Sequence, residues 1–111
     1  TKMGISEMAR GIARVGDRTH GTCYHPSHSP PLDTGGTIIT GSPDDLTNDK
    51  LTARLGDKVL TDCGHVAEII TGSPSVITND KLTARLSDKV ANGPPYIATI
   101  ITASPDRMAD D

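Results

Sequence analysis

The chain has 111 residues, of which 34% are hydrophobic, 23% charged and 2% aromatic, with a formal net charge of -3. There is no Trp or Phe and there are only two Tyr, so any core is small, built from Ile, Val, Leu and Ala, and in need of a metal, disulfide or partner as a staple. The composition argues against nucleic-acid binding, since no basic block is present; against a membrane span, since wholly apolar runs reach only two or three residues; and against a disulfide-dense scaffold, since there are two Cys. The opening Thr1-Lys2-Met3-Gly4 carries no apolar stretch of the secretory kind.

Ile12-Ala13-Arg14-Val15-Gly16-Asp17 opens the first of three related units. A loop holding Cys23 and three of the four His follows, and then Thr37-Ile38-Ile39-Thr40-Gly41-Ser42-Pro43. Asn48-Asp49 tolerates positive φ and predicts a two-residue hairpin turn. Beyond it, Leu51, Ala53 and Leu55 alternate with Lys50, Thr52 and Arg54, which predicts a strand with the Leu and Ala side inward. Thr52-Ala53-Arg54-Leu55-Gly56-Asp57 restates the opening phrase, and Glu68-Ile69-Ile70-Thr71-Gly72-Ser73-Pro74 the second one. Asn79-Asp80 repeats the turn before Leu82, Ala84 and Leu86, and the third copy runs through Thr83-Ala84-Arg85-Leu86-Ser87-Asp88 to Thr99-Ile100-Ile101-Thr102-Ala103-Ser104-Pro105.

The second phrase recurs at a spacing of 31 both times (37 to 68 to 99), the first at 40 and then 31, so nine additional residues lie inside the first unit. The expected organisation is one domain over residues 1–111, with units at about 8–48, 49–79 and 80–111. Each unit is a β-rich motif that cannot bury its apolar side alone. The three must pack on one another, either as a linear stack or about a pseudo-threefold axis lined by Ile, Leu and Ala.

The ordered recurrence of Ala-Arg-(Val/Leu)-Gly-Asp, a loop, Ile-x-x-Gly-Ser and an Asn turn resembles the PAAR-repeat proteins. These cap the central spike of type VI secretion systems and of contractile phage tails. The resemblance covers about residues 8–111, and Cys23-Tyr24-His25-Pro26 with Cys63-Gly64-His65 is similar to the phage-like branch. The chain departs from the family pattern where Leu51-Thr52 and Leu82-Thr83 precede Ala-Arg, and in the third unit, where Ala103 and Ser87 replace Gly. The resemblance implies an all-β fold: three pseudo-threefold β-hairpin repeats forming a small cone-shaped spike tip with a zinc near its apex. It implies a trimeric β-helical spike as partner, one copy of this chain per trimer, and transient contact with a target outer membrane. It further implies a place at a virion tail baseplate, or at the outer tip of a secretion apparatus, after synthesis in a bacterial cytoplasm.

All six His and Cys lie in two loops: His20, Cys23, His25, His28, Cys63 and His65. Cys-x-His occurs twice, and in an extended segment such side chains share a face. Cys23, His25, Cys63 and His65 would supply two sulfurs and two nitrogens, a closed tetrahedral set of the structural zinc type. His28 is the substitute ligand and His20 the next after it; mixed thiolate and imidazole donors favour zinc over iron. A Cys23–Cys63 disulfide and a pair of buried thiols are the competing readings. Tyr24 is expected to pack. The repeated Arg14, Arg54 and Arg85 with Asp17, Asp57 and Asp88 read as structural knitting, the alternative being contact with a trimeric partner. Ser42, Ser73 and Ser104 belong to bends. No unique catalytic constellation stands out, so the chain is read as structural and not as an enzyme. The other functions weighed are a zinc-stabilised binding module for a different symmetric protein, and a small zinc hydrolase with Asp62 or Asp33 as base.

Overall fold

The computed structural model describes residues 10–24, 31–92 and 96–109, with no helix among them. In chain order the strands are β1 (Arg10–Gly11), β2 (Arg18–Cys23), β3 (Leu32–Ile38), β4 (Leu46–Thr47), β5 (Lys50–Leu51), β6 (Lys58–Thr61), β7 (Val66–Ile69), β8 (Ile77–Thr78), β9 (Lys81–Leu82), β10 (Lys89–Asn92), β11 (Tyr96–Ile100) and β12 (Met108–Ala109). Three hairpins, β2–β3, β6–β7 and β10–β11, close an antiparallel six-strand barrel in the order β10-β11-β2-β3-β6-β7. Three short ribbons, β4–β5, β8–β9 and β12–β1, lie beyond the open ends of these hairpins. The expected all-β fold of three hairpin repeats is therefore what the chain adopts, closed on itself and not stacked in a line.

Local chemistry explains the turns. Asn48 and Asp49 have φ of 54° and 66°, and Asn79 and Asp80 have 53° and 65°. Positive φ at both central residues is the type I′ geometry that matches strand twist. A second, tighter turn ends each Ala-Arg phrase: the Asp17, Asp57 and Asp88 amides each donate to the carbonyl three residues back, at 3.0 Å. Its third position is Gly16 (φ 96°), Gly56 (φ 90°) and, in the last unit, Ser87 (φ 73°).

Inside each of these turns Arg clasps Asp. Arg14 Nε and Nη2 donate to Asp17 at 2.9 Å each, and Arg54–Asp57 and Arg85–Asp88 repeat the two-pronged contact. The side chains are 2–11% exposed, so removing one partner would strand a buried charge, a loss of about 3–5 kcal/mol. Knitting between units comes from the far carboxylate oxygen. Thr40 donates to Asp57 Oδ1, Thr71 to Asp88 Oδ1 and Thr102 to Asp17 Oδ1, each at 2.9 Å. The guanidiniums find further partners within the chain as well: Arg14 Nη1 donates to Asn48 Oδ1 at 3.1 Å, and Arg54 and Arg85 Nη2 to the Gly41 and Gly72 carbonyls at 3.2 Å.

At the axis the backbone itself closes the ring. Ala53 N–H donates to Ala13 O at 2.9 Å, Ala84 to Ala53 at 3.0 Å and Ala13 to Ala84 at 3.0 Å. All three Ala are fully buried, since only a small side chain lets three backbones meet. Above them sit Ile38, Ile69 and Ile100, then Val59, Val90 and Thr19, which stand in equivalent places by the same offsets.

The Leu faces depart from expectation. Leu51 is exposed and Leu55, Leu82 and Leu86 are only half-buried, while Thr52, Thr83, Arg54 and Arg85 are buried. The polar side wins because its groups are satisfied. Thr47 and Thr52 share a hydroxyl hydrogen bond of 2.8 Å, Thr78 and Thr83 one of 2.7 Å, and the guanidiniums have their Asp. Ser42, Ser73 and Ser104 are buried in bends as expected: Ser42 Oγ accepts the Asp45 amide at 2.8 Å, and Ser104 Oγ that of Arg107 at 2.9 Å.

Candidate metal centre

The closed ends of the barrel hairpins carry the ligand-type residues. Between β6 and β7 the chain turns through four residues, Asp62-Cys63-Gly64-His65. The Thr61 amide donates to His65 O at 2.8 Å, the Gly64 amide to Thr61 O at 3.0 Å, and Gly64 takes φ 96°. This is a tight turn finished by a left-handed glycine. Thr61 Oγ1 ties it from the side, accepting the His65 amide at 2.8 Å and lying 3.3 Å from Cys63 Sγ. The Cys63/His65 pair thus converges through a turn and not, as expected, along an extended strand. Cys23, at the end of β2, is fully buried; Cys63 and His65 are half-buried. One donor atom from each of Cys23, Cys63 and His65 lies within 4.8 Å of the other two.

A family model described as PAAR motif matches residues 28–102 of the chain. The chain belongs to the PAAR-motif family. No curated protein matches it. PAAR proteins are a structural spike-tip family, and the all-β barrel of three repeats agrees with that membership.

The three donors of this PAAR chain fit a metal ion. Tetrahedral zinc with bonds of about 2.3 Å to sulfur sets ligand atoms about 3.8 Å apart, and the trio needs little closure to reach that. Thr61 and the Gly64 turn hold Cys63 and His65 in advance, so little ordering remains for binding. His25 and His28 lie outside the described residues. His20 does not join the trio: its Nε2 lies 2.7 Å from Asp33 Oδ1 on the exposed outside of β2. The two carboxylates weighed as bases are engaged as well, Asp33 with His20 and Asp62 with Arg18 Nη2 at 2.7 Å. The Arg18 hydrogen bond holds the Asp62 carboxyl below its ordinary value.

Tyr96 is the residue that sequence reasoning missed. Tyr24, expected to pack, is 53% exposed, whereas Tyr96 is fully buried in one cluster with Cys23, and Cys63 packs against that cluster. The Tyr96 hydroxyl lies 3.4 Å from Thr19 Oγ1. Burial first, then the nearby Cys63, Asp62 and Cys23, push the phenol above its ordinary value against the opposing Thr19 hydrogen bond. It therefore stays protonated, an uncharged group in the cluster that holds Cys23 and packs against Cys63. A signal was available: Tyr96 stands 31 residues after His65, the spacing of the repeat.

Proposed function

We propose that this chain is a metal-stapled tip that caps and sharpens the trimeric central spike of a contractile injection machine, for piercing a target cell envelope. A phage tail is favoured over a type VI secretion apparatus by the Cys23-Tyr24-His25 form. The observation that carries the reading is the closed ring of Ala13, Ala53 and Ala84, which makes one chain threefold. Around it each ribbon exposes a large apolar residue at the same repeat position: Leu46 (55%), Ile77 (55%) and Met108 (52%). Their cross-strand partners are Leu51, Leu82 and Gly11. Three equivalent apolar ribbons suit a partner with three equivalent chains, each engaging one unit of a single copy.

At the opposite end, Cys23, Cys63 and His65 would hold zinc, with His25 as the fourth ligand. The offset of 40 that maps Cys63 onto Cys23 maps His65 onto His25. Four protein ligands leave no open position, so the ion's role is structural. Native mass spectrometry of the purified chain with its trimeric β-helical spike tests the reading. Three spike chains to one of this chain is the expected composition; a 3:3 complex, or no complex, overturns it.

A further inference from the structure

Cys23 and Cys63 stand at matching positions of the first two units, and their sulfurs lie within 4.8 Å of each other. Both are thiols here, Cys23 buried and Cys63 half-buried. Cys23 ends β2 and Cys63 lies in the turn between β6 and β7, and β3 runs between β2 and β6 in the barrel. A bond between them would straddle the barrel mouth and close a loop of about 40 residues, a length at which a cross-link strongly restricts the unfolded chain. A disulfide needs sulfurs at about 2.05 Å, so oxidation must draw the two together from within 4.8 Å, and Cys63, in the β6–β7 turn, is the one not held in a strand.

We propose that Cys23 and Cys63 form a metal-guarded dithiol. With an ion in place the sulfurs are ligands; without it, a small-molecule disulfide oxidises the pair to an intrachain disulfide. Accessibility makes Cys63 the attacking group. Its thiolate bonds to one sulfur of glutathione disulfide and the other glutathione leaves as thiolate. Cys23 thiolate then attacks the Cys63 sulfur, the protein S–S bond forms, and the second glutathione leaves. The pair loses two electrons, glutathione disulfide gains them, and the two thiol protons end on the two glutathiones. An ion that binds both sulfurs withholds the lone pairs this attack requires. The guarding rests on the zinc site proposed above; the oxidation rests on the placement of the sulfurs alone.

The test uses the full chain, metal-stripped and zinc-loaded, incubated with glutathione disulfide, quenched by alkylation and weighed intact. The stripped, folded chain should become a monomer lacking two hydrogens and both alkylatable thiols. It should do so about tenfold or more faster than the same chain in urea, because folding holds the sulfurs together, and about tenfold or more faster than the zinc-loaded chain. Cys63→Ser should yield no intrachain bond; the urea comparison keeps the test sound if that variant fails to fold. Accumulating mixed disulfides or dimers, or equal rates with and without bound zinc, overturn the proposal. Zinc measured on the same samples separates the failures. Bound zinc without intrachain oxidation of the stripped chain sinks the dithiol alone; an intrachain bond in a chain that takes up no zinc sinks the metal staple and its guarding role.

Discussion

Thr102 donates its hydroxyl to Asp17 Oδ1 at 2.9 Å, joining residues 85 apart in the chain and closing the circle that Thr40–Asp57 and Thr71–Asp88 begin. The same hydroxyl accepts the Arg18 amide at 2.8 Å. Thr102→Val should cost about 1–3 kcal/mol, the penalty for lost partners at partly buried groups. Asp17→Ala should cost more, about 3–5 kcal/mol, because it also strands Arg14. Urea unfolding of the two variants gives the order; a Thr102→Val midpoint equal to that of the parent would show that the closure does not depend on this bond.

Ser87 holds φ 73° where Gly16 and Gly56 hold 96° and 90°. A left-handed backbone costs a residue with a β-carbon about 1–2 kcal/mol, offset in part by the freedom that Gly loses on folding, about 0.5–1 kcal/mol. Ser87→Gly should stabilise the fold by up to about 1 kcal/mol. Gly56→Ala should destabilise it by about 1 kcal/mol, although nothing lies within 4 Å of the added methyl. Thermal melts read both signs, and opposite signs are required.

Acid should weaken the fold only at low pH through three surface carboxylates. Asn79 and then Ser42 hold the Asp44 carboxyl below its ordinary value of 3.8, Asn48 and then Ser104 do so for Asp106, and Arg18 does so for Asp62. A depressed folded value means the stabilisation is complete above the unfolded value and is lost as pH falls through the folded one. Metal-stripped protein should therefore hold its stability down to about pH 4 and lose it steadily below. Denaturant midpoints across that range check this, and Asn48→Ala with Asn79→Ala should flatten the decline.

Removing the metal should destabilise the parent and leave a ligand variant untouched. Zinc at about a thousandfold over its dissociation constant adds about 4 kcal/mol, which for a domain near this size is a melting shift of about 15 °C or more. Cys63→Ala should melt at the same temperature with zinc and with chelator. A zinc-dependent shift retained by Cys63→Ala would remove Cys63 from the site.

Much of this architecture is legible in the sequence. The two offsets of 31 and the Asn-Asp pairs carry the threefold plan and its type I′ turns, because a repeat and a positive-φ turn are each written in adjacent residues. Cys23, Cys63 and His65 were legible as a cluster for the same reason: matched loops on a shared axis must meet. The Leu faces were not, because alternation assumes that polar side chains want water. Thr52 and Arg54 go inside since Thr47 and Asp57 satisfy them there, and those partners lie outside the alternating segment. The residue type of His20 suggests a ligand, but its place on the outer face of β2 depends on barrel register. Tyr96 follows the one loop without His or Cys, so residue type gives no hint that it occupies the place of His65.

The pairing of Arg10 with Ala109 in the β1–β12 ribbon has a consequence for synthesis. The first ribbon strand has no partner until β12, almost a hundred residues later, has left the ribosome. The Ala13 carbonyl can accept from Ala53 early, but its amide must wait for Ala84. A two-unit nascent chain would present unpaired edges at both ends of an open sheet, a state prone to sticking to its neighbours. Assembly is therefore expected to be late, all-at-once and slowed by its distant contacts. Duplication cannot lengthen such an object either, because a fourth unit would have no place in a ring whose hydrogen bonds already return to their start.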